Sequence, residues 1–211
     1  GHGRAGRGRQ PGREVRRRLG RGDRPQRRVL PDQPEAALTT SRSGPVVVLV
    51  GPPGAGKSTV ANHLAGRLDV GFRDTDHDIA ARAGTSVQDI FVDHGEEHFR
   101  ALEEQAVAAA LAEHDGVLAL GGGAVLSEAT RALLLGHRVL FLDVGLAAAV
   151  SRVGLNGNRP LLLGNVRSQM KALMDRRRPL YAEVARFTVL TDTLDAAAVA
   201  DRAVQLIQED R

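Results

Sequence analysis

The stretch VVVLVGPPGAGKST, residues 46–59, decides the fold. Val46–Val50 is an unbroken β-branched and aliphatic run that stops at a glycine, the pattern of a strand buried on both faces. Gly51 to Ser58 then spell G-x-x-x-x-G-K-[ST], and Lys57–Leu68 carries a helical pattern. Strand, glycine-rich turn and helix, in that order, form the context in which this motif cradles phosphates. Glycines let successive backbone N–H groups converge on phosphate oxygens without Cβ clashes. The helix beginning near Lys57 turns the positive end of its dipole towards the same oxygens. Lys57 is expected to reach the outer phosphates and the Ser58 hydroxyl to ligate Mg²⁺. The loop alone implies a nucleoside triphosphate and leaves kinase, GTPase and ATPase open.

Outward from the loop, short apolar runs alternate with amphipathic stretches. Val70–Arg73, Val117–Leu120, Val139–Val144 and Phe187–Leu190 read as further strands. Helices are expected over Asp78–Ala83, Ser86–Asp93 (capped by Thr85 or Ser86), Glu96–Glu113, Leu146–Arg152, Ser168–Arg177 and Asp195–Gln208. Another runs from a Ser127 cap to Leu135, with Gly136 closing it. Pro179 is expected to end the Ser168 helix, and residues 154–164 read as a loop. Five strands alternating with helices imply α/β architecture: a three-layer αβα P-loop fold on a five-stranded parallel sheet.

Composition narrows the function classes. The 211 residues contain no cysteine, which excludes disulfides, thiolate zinc sites, iron–sulfur ligation and a cysteine nucleophile. The longest apolar runs are too short to span a bilayer, and no apolar h-region follows the basic N-terminus, so a cytoplasmic protein is expected. Residues 1–44 carry twelve Arg against two Asp and two Glu, a net of +8; set against +4 for the whole chain, the remainder is −4. That Arg/Gly/Pro-rich segment has no apolar periodicity and is expected to be a disordered extension, a start assigned too far upstream or a cloning remnant, rather than an RNA-binding arm. The domain, residues 45–211, is mildly acidic with 3% aromatic residues, which argues against a specific nucleic-acid surface. Only two lysines occur beside 27 arginines, and one of them is Lys57.

Candidate acceptor residues follow the strand ends, where ligands collect in open α/β sheets. Asp74-Thr75-Asp76 puts two carboxylates at i and i+2. One can hold metal-bound water while the other accepts a hydrogen bond from a substrate hydroxyl, although an Asp there also serves as a helix N-cap. Arg100 can clamp a carboxylate bidentately or form an exposed i,i+4 pair with Glu104. Gly121-Gly122-Gly123 allows close approach of a ligand to backbone. Arg159, in Arg159-Pro160-Leu161-Leu162, is a candidate lid residue closing over the phosphoryl group. The cluster Arg176-Arg177-Arg178-Pro179 also suits a helix C-terminus on charge alone.

Taken in order, GPPGAGKST, DTDHDI, IFVDHGEEHFR with Glu103 after it, LGGGAV, NRPLL and RRRPLY resemble the shikimate kinases, small P-loop kinases of the nucleoside-monophosphate-kinase-like group. The likeness covers about residues 45–190. It implies transfer of the ATP γ-phosphoryl group to the 3-hydroxyl of shikimate, with Mg²⁺, by a monomer whose lid loop covers the nucleotide. By family position, Gly54, Ala55, Gly56, Lys57, Ser58 and Thr59 bind the ATP phosphates. Ser58 binds Mg²⁺, with Asp74 behind it. Asp76 bonds the shikimate hydroxyls as base or positioner. Arg100 and Arg177 clamp the shikimate carboxylate, with Gly121, Gly122 and Gly123 lining the substrate. Arg159 meets ATP, and Arg152 stacks on adenine. The Arg run leaves Arg177 and Arg178 one residue apart as alternatives, and the spacing to Pro179 and Tyr181 favours Arg177. Residues 191–195, TDTLD, lack the basic residue that some family members place against the nucleotide. A gluconate kinase on the same fold, or a nucleotide-binding regulatory module using the basic tail, are the competing readings.

Overall fold

The computed structural model describes residues 44–154 and 163–210. The expected extension before Gly44, and Arg159 with most of its expected lid loop, lie outside the described residues. The elements run β1 (Val47–Val50), α1 (Lys57–Leu68), β2 (Phe72–Asp74), α2 (Thr75–Ala83), α3 (Val87–Glu113), β3 (Val117–Ala119), a 3₁₀ turn (Ala124–Leu126), α4 (Glu128–Leu134), β4 (Val139–Asp143), α5 (Leu146–Gly154), α6 (Leu163–Val184), β5 (Phe187–Leu190) and α7 (Ala196–Glu209). The five strands form one parallel sheet in the order β2-β3-β1-β4-β5.

Period-two alternation along β1 builds the three layers. Val47 and Leu49 face one core with Leu64, Leu142, Val199 and Ile207; Val48 and Val50 face the other with Val107, Leu118, Phe141 and Tyr181. Both faces are covered by helices, so β1 reads as continuously apolar. Its neighbours β3 and β4 are reached by crossovers in opposite directions, which opens a crevice at its carboxyl end. The phosphate loop fills that crevice.

Three local expectations are corrected. The helix over Ser168–Arg177 does not end at Pro179: α6 continues to Val184. A proline inside a helix costs about 3 kcal/mol, but ending there would expose Tyr181 and Val184, which are 1% and 5% accessible. Burying each is worth roughly 1.5–3 kcal/mol, enough to carry the helix through the proline. α2 begins at Thr75 rather than Asp78, because the Asp74 side chain accepts from the Asp76 N–H and caps it. α4 is closed by Leu135 in right-handed geometry, not by Gly136. Elsewhere Ser86 is the N-cap that starts α3, accepting from the Asp89 N–H, and Gly95 (φ 81°, ψ 172°) breaks that helix where the two expected helices meet. Among the described residues, no helix is long and apolar enough to cross a membrane.

Candidate active site

The phosphate loop has the geometry its glycines predict. Gly54 sits at φ 79°, and a methyl group there would lie 2.8 Å from the Ala149 carbonyl, so neither backbone nor space admits another residue. α1 has Gly56 as its N-cap and no side-chain cap, leaving its first-turn N–H groups for a ligand. The Lys57 ammonium donates to the carbonyls of Gly51 at 2.9 Å and Pro52 at 3.3 Å, which holds it over the loop. Burial pulls Lys57 below its ordinary value, while the Asp76 and Asp74 charges oppose that pull. The exposed Ser58 hydroxyl donates to Asp74 Oδ2 at 2.6 Å. Asp74 is therefore both helix cap and partner of the loop serine; the two readings of the DTD motif are compatible.

The acceptor-side residues converge on the same crevice. Asp76 lies within electrostatic reach of Lys57, Asp74 and Arg100; burial, then the Asp74 charge, push its carboxyl above the usual range against the pull of Lys57 and Arg100. Arg100 does not pair with Glu104. Its guanidinium donates to Glu103 and, at 3.1 Å, to Glu96, while Glu104 accepts from Ser127 at 2.9 Å. Glu96 and Glu103 hold the guanidinium at i−4 and i+3, beside the Phe91 and Phe99 rings at 5.7 and 5.4 Å from their centroids. Arg177 donates to the Gly122 carbonyl at 3.0 Å. Arg178 turns away and pairs with Asp143, which separates the two alternatives left by the arginine run.

The glycine run is glycine for a reason other than a flexible turn. None of the three has a positive φ. A methyl group on Gly121 would overlap the carboxylates of Asp76 and Glu103, and one on Gly123 would overlap the Arg100 guanidinium. The acceptor side chains themselves need the room. Thr75 ties this run to the DTD motif: its buried hydroxyl accepts from the Gly121 N–H at 3.1 Å.

A second cleft of about 230 Å³ opens between the loop and the start of α7, lined by Gly56, Thr59, Arg152, Thr191 and Asp195 among others. Arg152 bridges it, donating to the Gly54 carbonyl at 3.2 Å and to the Thr191 carbonyl at 2.6 Å. Thr191, in the segment without a basic residue, thus receives its cation from α5.

Sequence reading did not anticipate the structural parts played by Thr75, Thr191 and Tyr181, and it quoted Glu103 without a role. Glu103 is only 3% accessible, and its position three residues after Arg100 was the available signal. Tyr181, two residues after Pro179, offered only the spacing that favoured Arg177.

The comparisons with known proteins agree with this geometry. The family model described as shikimate kinase matches residues 53–208. A shikimate kinase of Saccharopolyspora erythraea is 57% identical over 168 residues, covering 79% of this chain and 96% of that protein. One from Frankia casuarinae is 64% identical over 148 residues, spanning 70% of this chain and 65% of that longer protein. Among solved structures, the shikimate kinase from Acinetobacter baumannii in complex with shikimate superposes with a TM-score of 0.75 at 35% identity, covering 81% of this chain and 96% of that one. With a family model matched over most of its length and relatives more than half identical, this chain belongs to the shikimate kinase family.

Proposed function

We propose that this chain transfers the γ-phosphoryl group of ATP to the 3-hydroxyl of shikimate, giving shikimate 3-phosphate and ADP. The observation that carries the reading is that the Asp76 carboxylate, packed against Gly121 at the carboxyl end of the sheet, lies within electrostatic reach of both Lys57 and Arg100. A hydroxyl bonded to Asp76 then faces a phosphate held by Lys57, while a carboxylate on the same small ring meets a guanidinium. As the new O–P bond forms and the bond to the ADP oxygen breaks, the hydroxyl proton passes to Asp76. Its raised proton affinity suits that transfer. Lys57 and the α1 N-terminus balance negative charge on the phosphates. Arg100 and Arg177 fix the acceptor's orientation, so that the reaction is mainly one of positioning. Arg152 borders the nucleotide base and Arg159 serves as the lid arginine.

The Ser58 hydroxyl and the Asp74 carboxylate supply hard oxygen donors, a set that fits Mg²⁺. When bound, the ion neutralises phosphate charge. Asp74 orients the Ser58 hydroxyl from behind.

A coupled ADP-release assay with shikimate and gluconate side by side tests the substrate. Shikimate alone is expected to stimulate turnover; stimulation by gluconate alone overturns the assignment. Arg100→Ala is expected to weaken shikimate binding by roughly 2–5 kcal/mol. Because that change orphans the buried Glu103, the double variant Arg100→Met, Glu103→Gln is measured beside it. Unchanged shikimate affinity in both would return Arg100 to a purely structural role.

Residues 45–211 are proposed as the catalytic unit of a monomeric cytoplasmic enzyme with no specific nucleic-acid or membrane partner, a reading supported by that part's net negative charge. Deleting residues 1–44 is expected to leave shikimate phosphorylation within about twofold, as for a surface extension, and to abolish nonspecific RNA retention. Loss of catalysis on truncation would refute it.

A further inference from the structure

Tyr181 is the chain's sole tyrosine, and the chain has no tryptophan. It sits in the α6 turn after Pro179, and the continuation of that helix carries its ring under the sheet end. There the ring is 1% accessible and stacks on Phe141 at 5.2 Å between centroids. Its hydroxyl donates to the Gly122 carbonyl at 2.5 Å. Arg177, one helical turn earlier, donates to the same carbonyl at 3.0 Å, and its charge lies within electrostatic reach of the phenol. Burial pushes the phenol up to about 12, so it remains a neutral donor at any working pH. Gly122 also abuts the phosphate loop: a methyl group there would lie 3.3 Å from Pro53 Cδ and 3.5 Å from the Gly51 carbonyl.

One peptide carbonyl is thus gripped by two donors from α6 while its residue rests on the nucleotide-binding loop. A carbonyl has two lone-pair directions, and the rigid, ring-stacked phenol takes one of them. The guanidinium must take the other, which fixes its angle. Without the phenol, Arg177 can swing to share both directions and withdraw from the acceptor.

We propose that Tyr181 is a positioning residue, which sets the reach of Arg177 towards the acceptor carboxylate by holding the Gly122 carbonyl. The inference rests on the acceptor reading above and goes beyond it by assigning the residue that aims one arm of the clamp.

Tyr181→Phe removes the hydroxyl and keeps the ring. The expected result is a shikimate KM raised by about tenfold, the scale of one hydrogen bond, with kcat and the ATP KM within about twofold. In an Arg177→Met background the same change should add less than about twofold, because neighbours acting through one contact are not additive. An unchanged shikimate KM, a parallel loss in all three parameters, or full additivity would each overturn the role. Should Tyr181→Phe fail to fold, the unaltered protein decides. All its tyrosine emission comes from Tyr181 and should change saturably on titration with shikimate, whereas a flat response overturns the proposal. Wild-type activity on shikimate is read first. An inactive wild type sinks the substrate reading and this inference together; an active wild type with an unaffected Tyr181→Phe variant sinks the inference alone.

Discussion

Lys57→Met lowers kcat by about a thousandfold, the scale on which removal of a preorganised charge donor acts in a water-poor site. Two effects combine. The phosphate loses its ammonium partner, and Asp76 loses the stronger of the two charges opposing its proton affinity. With Lys57 gone, burial and the Asp74 carboxylate act on Asp76 with Arg100 as the remaining counterweight. The acid limb of the rate profile therefore moves to higher pH in the variant. Steady-state kinetics at saturating ATP and shikimate across pH measures both consequences. Near-normal turnover would refute the phosphate-loop assignment, and an unmoved acid limb would refute the electrostatic link between Lys57 and Asp76.

Asp76→Asn keeps the side-chain shape but removes the proton acceptor, and kcat falls by roughly 10²–10⁴-fold. Nucleotide affinity, measured by calorimetry with ADP alone, stays within a few-fold, since the loop is intact. The same change stabilises the protein. The Asp76 carboxyl holds its proton to higher pH in the folded state than the ordinary value of 3.8. The folded state thus binds the proton more tightly, and stability falls as pH rises through the interval above 3.8 up to the folded value. Asparagine has no such penalty. At pH 7 the variant is expected to melt at a higher Tm than the unaltered protein. The gain should vanish below pH 3.8, where both states hold the proton. A variant that is inactive and also less stable at neutral pH would mean that Asp76 serves structure rather than chemistry.

The two predictions separate what could be read along the chain from what could not. The phosphate loop was legible because its chemistry is local: strand, glycines, Lys57 and Ser58 lie within thirteen consecutive residues and obey one set of backbone constraints. The strand count and the parallel sheet followed from apolar runs alternating with amphipathic ones. Helix caps were partly legible for the same reason. Ser86 and Ser127 cap their helices through bonds three residues long.

The failures lie where a distant contact outweighs a local preference. Pro179 breaks a helix in isolation, yet burial of Tyr181 and Val184 carries α6 past it. Arg100 had four carboxylates at helical spacing, Glu96, Glu97, Glu103 and Glu104, and spacing alone did not exclude Glu104. In the folded chain Glu104 is taken by Ser127, so Glu96 and the buried Glu103 hold the guanidinium. The glycine run looked like a flexible turn or a ligand cradle, and the letters did not show that Gly121 and Gly123 also make room for Asp76, Glu103 and Arg100. Arg177 and Arg178 are equivalent as letters, and adjacent positions on a helix point about 100° apart.

By itself, then, the amino-acid order determined the αβα architecture, the nucleotide loop and the residue types needed to receive an anionic hydroxyl compound. Those features depend on periodicity and on backbone geometry over a few residues. Tertiary structure alone decided which arginine meets Gly122, which glutamate holds Arg100, and that Tyr181 stands behind them. Each is a contact across tens of residues or a choice among equal neighbours, and its energy exists only once the sheet has brought those segments together.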